Sequence, residues 1–203
     1  MRLVTLGVGA QNSPRFGPAG LLVASRGVRV MLDGGPGAEP PDKIDAWLVT
    51  DEHAELIARI RRLARDRGLD VRVADFERGG LRVQCRPVVH TNHPTFGYLI
   101  VASHPRATAV WAPEFMEFPK WAGGSVLMFA EASGWNRPIR FAGGVGGHLD
   151  TLSVANEARR RRVRRLVFAH IGRPTIRAMD RGERVPFGEF ARDGQVFVLR
   201  SRP

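Results

Sequence analysis

The sequence predicts an α/β or α+β layered domain. Short apolar runs bounded by Gly, Pro and Asp recur along the 203 residues, only two segments carry a helical period, and no repeat, low-complexity tract or long linker divides the chain. These features predict one domain over residues 1–203, with residues 173–203 as a wrapped C-terminal extension.

The predicted strands are, in order, LVTLG, GLLVAS, VRVMLDGG, DAWLVT, DVRVAD, LRVQCRPVV, FGYLIVA, TAVWA, SVLMFAE, RLVFAH and QVFVL. A first helix is expected from Asp51 to Arg67, where Leu56, Ile57, Ile60, Leu63 and Ala64 form an apolar stripe and Gly68 supplies the stop. Thr50 is its expected cap, with Asp51 and Glu52 facing the positive end of the helix dipole. A second helix is expected from Thr151 to about Arg162, opened by Asp150 or Thr151 and carrying Leu152, Ala155 and Ala158. A third, short helix is expected around PEFMEFPKW. The aromatic residues of WAPEFMEFPKWAGG read as core or a homodimer surface, or else as a cleft wall on which a base could stack.

Hydrophobic residues make up 43% of the chain, enough for a substantial core, yet no window approaches eighteen consecutive apolar residues. A cytoplasmic protein with no membrane partner is expected. The single cysteine, Cys85, excludes an internal disulfide and a cysteine-based zinc cage, so any metal must be held by His and carboxylate. The formal net charge of +11 rests almost entirely on Arg. It is compatible with a polyanionic partner, since Arg forks match phosphate oxygens, and equally with Arg-rich codon usage. The densest run, EARRRRVRRLVF, reads as a helix end leading into a strand, where cations are favourable without a ligand.

Histidines and one acid fall at element ends. His90 ends the strand CRPVVH, His170 ends RLVFAH, Glu131 closes VLMFAE, His53 opens the predicted helix after AWLVT, and His148 follows GGVGG just before a helix. Strand ends are where open α/β sheets gather their ligand sites. The glycines before His148 permit close backbone approach, without the spacing of a phosphate or dinucleotide fingerprint. His104, in ASHPRAT, reads as surface.

Taken in order, these motifs resemble the metallo-β-lactamase fold superfamily, in particular its RNase Z and phosphodiesterase branch. VTLGVGAQNSPRFGPAGLLVASRGVRVMLDGGPG is similar to the family's opening, in which Asp33 begins an Asp-x-Gly-x-Gly turn. DAWLVTDEHAEL stands in the place of Thr-His-x-His-x-Asp-His, VVHTNHPTFGYLI resembles the third motif, LMFAEA the strand with a terminal acid, and GGHLDTLSVANEARRRRVRRLVFAHIG the segment ending in the last ligand. The resemblance implies a four-layer αββα sandwich spanning nearly the whole chain.

It also implies a site. Aligned on Thr50, the signature reads Asp51-x-His53-x-Glu55-Leu56, with carboxylate for one imidazole and Leu56 at a position that cannot coordinate. The resemblance places a first ion on Asp51, His53 and His90, a bridging role on Glu131, and an incomplete second site on Glu55 and His170. One or two divalent ions are implied, Zn²⁺, Mn²⁺ or Fe²⁺, with carboxylate in place of imidazole moving preference toward harder metals. Glu55 would orient the attacking water and His148 would protonate the leaving oxygen. His93 rivals His90 as the third-motif histidine; with Arg173 it is a candidate substrate contact.

The implied activity is that of a metal-dependent hydrolase acting on a small phosphorylated substrate or a nucleic acid. The chain looks short for a tRNA-gripping insertion and has no basic arm. No loop marks it for β-lactam or glutathione-thioester hydrolysis. The alternative is a non-catalytic member of the same fold that binds through its cleft or basic face.

Overall fold

Two mixed β-sheets stack face to face in the computed structural model, which describes residues 1–41, 43–103 and 106–200. The first sheet starts as an antiparallel meander of β1 (Arg2–Gly7), β2 (Gly20–Ser25) and β3 (Val28–Asp33). It continues in parallel through β4 (Ala46–Leu48) and, after α1 (Ile57–Arg65), through β5 (Val71–Arg72). The second sheet runs antiparallel through β6 (Phe76–Arg78), β7 (Leu81–Val88), β8 (Thr95–Ser103) and β9 (Arg106–Ala112), then turns parallel at β10 (Leu127–Ala132). β11 (Ile139–Arg140) and β12 (Gly147–His148) pair in a separate ribbon, and α2 (Thr151–Arg160) leads back to β13 (Leu166–Ile171) beside β10. The segment from Arg173 adds α3 (Arg173–Asp180), β14 (Glu189–Phe190) on the second sheet and β15 (Gln195–Val198) beside β1 on the first.

Strand alternation sorts side chains between the layers. In β1 to β3, Leu3, Leu21, Val23, Val30 and Leu32 point into the main core, which they share with Leu81, Val83, Tyr98, Ile100 and Trp111 of the second sheet. The intervening Val4, Leu22 and Met31 point the other way and pack with Trp47, Ile60 and Ala64, so α1 covers the outer face. On the far side Val154, Ala155 and Ala158 of α2 and Ile176 of α3 join the main core. Each fully buried aliphatic side chain stabilises the fold by roughly 1.5–3 kcal/mol relative to exposure. The layers are therefore helix, sheet, sheet, helix, the α/β sandwich that the sequence predicts. Among the described residues no helix is long and apolar enough to cross a membrane.

Two predicted helices begin or extend differently. The first starts at Ile57, not Asp51, with Leu56 at its N-cap and no side-chain cap. Thr50 is unavailable as a cap because its N–H and Oγ1 are both held by Asp33 (2.7 and 3.0 Å), while Asp51 accepts the His53 N–H at 2.7 Å and fixes a turn. The short helix expected around PEFMEFPKW is reduced to a 3-10 turn at Lys120–Ala122. Its backbone donors go to tertiary partners instead, Phe115 N to Glu131 (3.3 Å) and Met116 N to the Val89 carbonyl (2.6 Å). Of the two possible openers of α2, Asp150 is the cap, accepting Ser153 N–H at 2.9 Å. Phe115 and Phe118 are buried in the core, and His104 lies outside the described residues.

Candidate metal centre

Parallel strands of both sheets end on one side of the sandwich. β3 delivers Asp33 there, β4 the segment from Thr50 to Leu56, β9 Glu114, β10 Glu131 and β13 His170; the β7–β8 turn adds His90 and His93. These ends surround a pocket of about 280 Å³ lined by Gln11, Asp51, His53, Glu55, His90, His93, Glu114, His148 and His170 among others. An adjoining cavity of about 70 Å³ runs between Asp33, Leu56, Glu114 and His170.

Glu114 lies at the centre of the site. Its Oε2 is 2.8 Å from Nε2 of His90 and its Oε1 is 2.9 Å from Nε2 of His170. The other ring nitrogen of each histidine is anchored from behind. His90 Nδ1 lies 2.9 Å from the Gly147 carbonyl, which can only accept, and His170 Nδ1 lies 2.9 Å from Ser133 Oγ and 3.4 Å from Glu131. Glycine is needed beside His90: Gly147 N–H also donates to the His90 carbonyl (2.8 Å), and Gly146 has φ +137 with a Cβ direction blocked by that same carbonyl.

His170 reaches this position through a bulge. Phe168 and Ile171 of β13 pair with Ala130 and Ala132, so two residues of β13 oppose Glu131 alone, and His170 takes φ +60. A β-strand residue with positive φ is strained, and such strain concentrates at functional sites.

Glu131 sits beneath His148 and His170 with no solvent exposure. Its Oε2 is 2.7 Å from His148 Nδ1, and Ser133 N–H and Phe115 N–H also donate to the carboxylate. One ligand atom each of Glu131, His148 and His170 lies within 4.8 Å of the others. The Glu131 contacts run through Nδ1 of both histidines, which leaves His170 Nε2 for Glu114. His148 Nε2 has no hydrogen-bond partner among the described residues.

The electrostatics follow from this interleaving. Burial disfavours a charged imidazole at His170, but Glu114 and Glu131 outweigh it and raise the pKa to about 10. Burial likewise opposes ionisation of Glu131, and His148 and His170 overcome it, lowering the pKa to about 2. Glu114 is held well below the usual carboxylate range by His170 and His90 against the effect of burial. Across burial that works the other way, Glu114 raises His90.

On the opposite wall Asp51 accepts from His93 Nε2 (2.9 and 3.1 Å), and the His53 and His93 rings lie 4.7 Å apart. Glu55 faces the Gln11 amide, which donates to both its oxygens (2.6 and 3.2 Å) when the amide nitrogen occupies that side. Arg173 stands apart from this pocket, in a recess lined by Arg15, Ile176 and Arg177. The predicted residues Asp51, His53, Glu55, His90, His93, His148 and His170 are thus brought to one pocket, with Glu131 just below it.

Glu114 carried no signal of its own in the sequence. It stands two residues beyond the strand TAVWA, a strand-end position comparable to those of His170 and Glu131, but Pro113 and the aromatic run after it present the segment as core. Asp33 organises the loop beneath: Trp111 Nε1 and Trp47 Nε1 donate to its Oδ2 and its carbonyl (2.7 and 2.8 Å), and it takes φ +53.

The donor types suit a divalent cation, and the trio whose ligand atoms come within 4.8 Å of one another among the described residues is Glu131, His148 and His170. With Nδ1–H of His90 committed to a carbonyl, neutral imidazole presents an Nε2 lone pair to a carboxylate, and only a proton or a cation can satisfy that pairing. Two such pairings converge on the two oxygens of Glu114.

This architecture is the metallo-β-lactamase fold. The chain superposes on YhfI from Bacillus subtilis, a metallo-β-lactamase fold protein, with a TM-score of 0.74 at 14% identity, covering 97% of this chain and 99% of that one. It is similar to a diphosphatase of the PhnP family (TM-score 0.72, 17% identity, 97% of each chain) and to the short form of human tRNase Z (0.72, 16%, 98% and 100%). No protein-family model matches the sequence, and no curated protein matches it.

Proposed function

We propose that this protein is a metal-dependent hydrolase of phosphate esters, with a phosphodiester as the best-supported substrate class. The observation that carries the reading is the convergence of His90 Nε2 and His170 Nε2 on Glu114, each ring anchored at Nδ1. The diphosphatase and tRNase Z among the similar structures support phosphate chemistry, as does the Arg-rich net charge of +11.

His90, His170 and Glu114 would hold the ion, with Asp51 and His53 facing them across the pocket. Zn²⁺, Fe²⁺ or Mn²⁺ bound there would act as a Lewis acid on the phosphoryl oxygen and lower the pKa of water toward neutrality. Glu55, positioned by Gln11, orients the attacking water. His148 presents Nε2 to the leaving oxygen and transfers a proton to it, while Glu131 holds Nδ1–H and stabilises the imidazolium before transfer. Ser133 and Glu131 fix the His170 ring, which keeps its Nε2 aimed at the pocket.

The reading is tested by metal quantification on protein purified without chelator, together with a screen of generic phosphodiester, phosphomonoester and lactam substrates. Stoichiometric metal and phosphodiester turnover that is lost in His170→Ala is the expected result. Metal-free protein that stays inactive when Zn²⁺, Fe²⁺ or Mn²⁺ is added overturns it and favours a binding module, to which the Leu56 substitution would then belong.

A further inference from the structure

The ribbon of β11 and β12 borders the pocket on the side of His148, and the chemistry described above uses none of its apolar side chains. We propose that this ribbon is a leaving-group platform: Phe141, with Ile139 and Val145, receives the planar base of the nucleoside that departs when a nucleic-acid phosphodiester is cleaved. The inference rests on the hydrolase reading and deepens it by naming the group that leaves.

Register places the side chains. Ile139 pairs with His148 across the ribbon, so both point to one face. Phe141 stands two residues further on with extended backbone (φ −75, ψ 152), and the alternation returns it to that face. Its N–H donates to the Gly146 carbonyl at 2.9 Å, which holds the residue where the ribbon turns. The Phe141 ring lies 5.4 Å from the His148 ring and 5.4 Å from the His90 ring, in edge-to-face contact with both, and it lines the pocket. His148 Nε2 is the group that protonates the leaving oxygen. Whatever that oxygen carries must therefore lie against Phe141.

Exposure identifies the kind of group. Val145 is 42% exposed, Ile139 37%, and Val89, next to His90, 50%. Apolar side chains gathered at the rim of a polar pocket mark a contact surface rather than core. A base stacks on a phenyl ring through its flat face, whatever its sequence identity. Arg137 and Arg140, on either side of Ile139, are also exposed, and their guanidinium forks match the phosphates that flank a base in a strand. A lipid diester would use the apolar rim without the arginines, and a sugar phosphate the arginines without the rim. A nucleotide uses both.

The test compares thymidine dinucleotide with the same dinucleotide carrying a tetrahydrofuran abasic residue on one side or the other, using full-length protein supplied with Zn²⁺, Fe²⁺ or Mn²⁺. Product analysis shows which residue leaves, and thermal melts control for folding. The wild type is expected to cleave the intact dinucleotide with kcat/KM at least about 5-fold above that of the dimer lacking the leaving-side base. Phe141→Ala and Phe141→Leu should bring this ratio to about unity, whatever loss the two substrates share, while Phe141→Trp should preserve it. A wild type that cleaves both dimers equally well, or an undiminished ratio in Phe141→Leu, overturns the platform and leaves the hydrolase reading standing. Turnover of bis-para-nitrophenyl phosphate without turnover of any dinucleotide does the same. No phosphodiester turnover at all overturns both.

Discussion

Glu114 Oε1 lies 2.9 Å from Nε2 of His170, and the same carboxylate reaches His90 with its second oxygen at 2.8 Å. One side chain just beyond β9 therefore joins a histidine of the β7–β8 turn to a histidine of the β13 bulge. Glu114→Gln keeps the shape and replaces one oxygen by a donor. Metal affinity and phosphodiester turnover are expected to fall at least about 100-fold, read by calorimetry and initial rates. In the metal-free protein the His170 imidazole should titrate at lower pH, which ring-proton NMR would register; an unchanged titration would show that Glu114 does not govern it.

His148 is placed for proton transfer, with Nδ1 on Glu131 at 2.7 Å. His148→Ala should lower kcat by about 10²- to 10⁴-fold with metal content retained. Loss of metal in that variant would reassign His148 as a ligand.

Glu131 should govern acid stability of the metal-free protein. Its folded pKa of about 2 is below the unfolded value near 4.5, so its contribution is present above pH 4.5 and is lost as pH falls toward 2. The contribution is on the order of 3 kcal/mol. His170 acts in the opposite sense: raised to about 10, its contribution is full below pH 6.5 and lost as pH rises through 10. Urea unfolding across pH should therefore show a plateau between about 4.5 and 6.5. Glu131→Gln should flatten its acid limb.

Asp33 accepts from Thr50 N–H, Thr50 Oγ1 and Trp111 Nε1 while holding a left-handed backbone. Asp33→Ala strands these donors and places alanine at positive φ, so a loss of about 2–4 kcal/mol is expected in urea unfolding. Asp33→Asn, which tolerates the backbone, should cost less.

Gly147 clamps His90 through both its N–H and its carbonyl, at φ +152. A methyl group there meets the Ile139 carbonyl. Gly147→Ala should lose more than about 1 kcal/mol of stability and weaken metal binding, because His90 moves with the loop.

The readable part of the site consists of residues that announce themselves locally. His90, His148 and His170 stand at element ends flanked by apolar runs or glycines, a pattern with little purpose in a core. His53 stands at the predicted helix start, whereas Asp51 is legible as a ligand only beside the motif it resembles. Glu114 was hidden because proline and aromatic residues surround it and its role depends on two histidines 24 and 56 residues away in sequence. α1 starts later than its sequence pattern predicts for a similar reason: Thr50 has the chemistry of a cap, but Asp33 holds it first.

By itself the sequence determined the alternation of strands, a layered class of strands with inserted helices and most of the groups able to hold a metal, because periodicity and residue chemistry are local properties. Tertiary structure decided which carboxylate stands between His90 and His170, which nitrogen of each ring faces the pocket, and that His93 meets Asp51. Those choices depend on where separate strands end relative to one another, and sheet register and the bulge at His170 set that relation through packing across the whole sandwich.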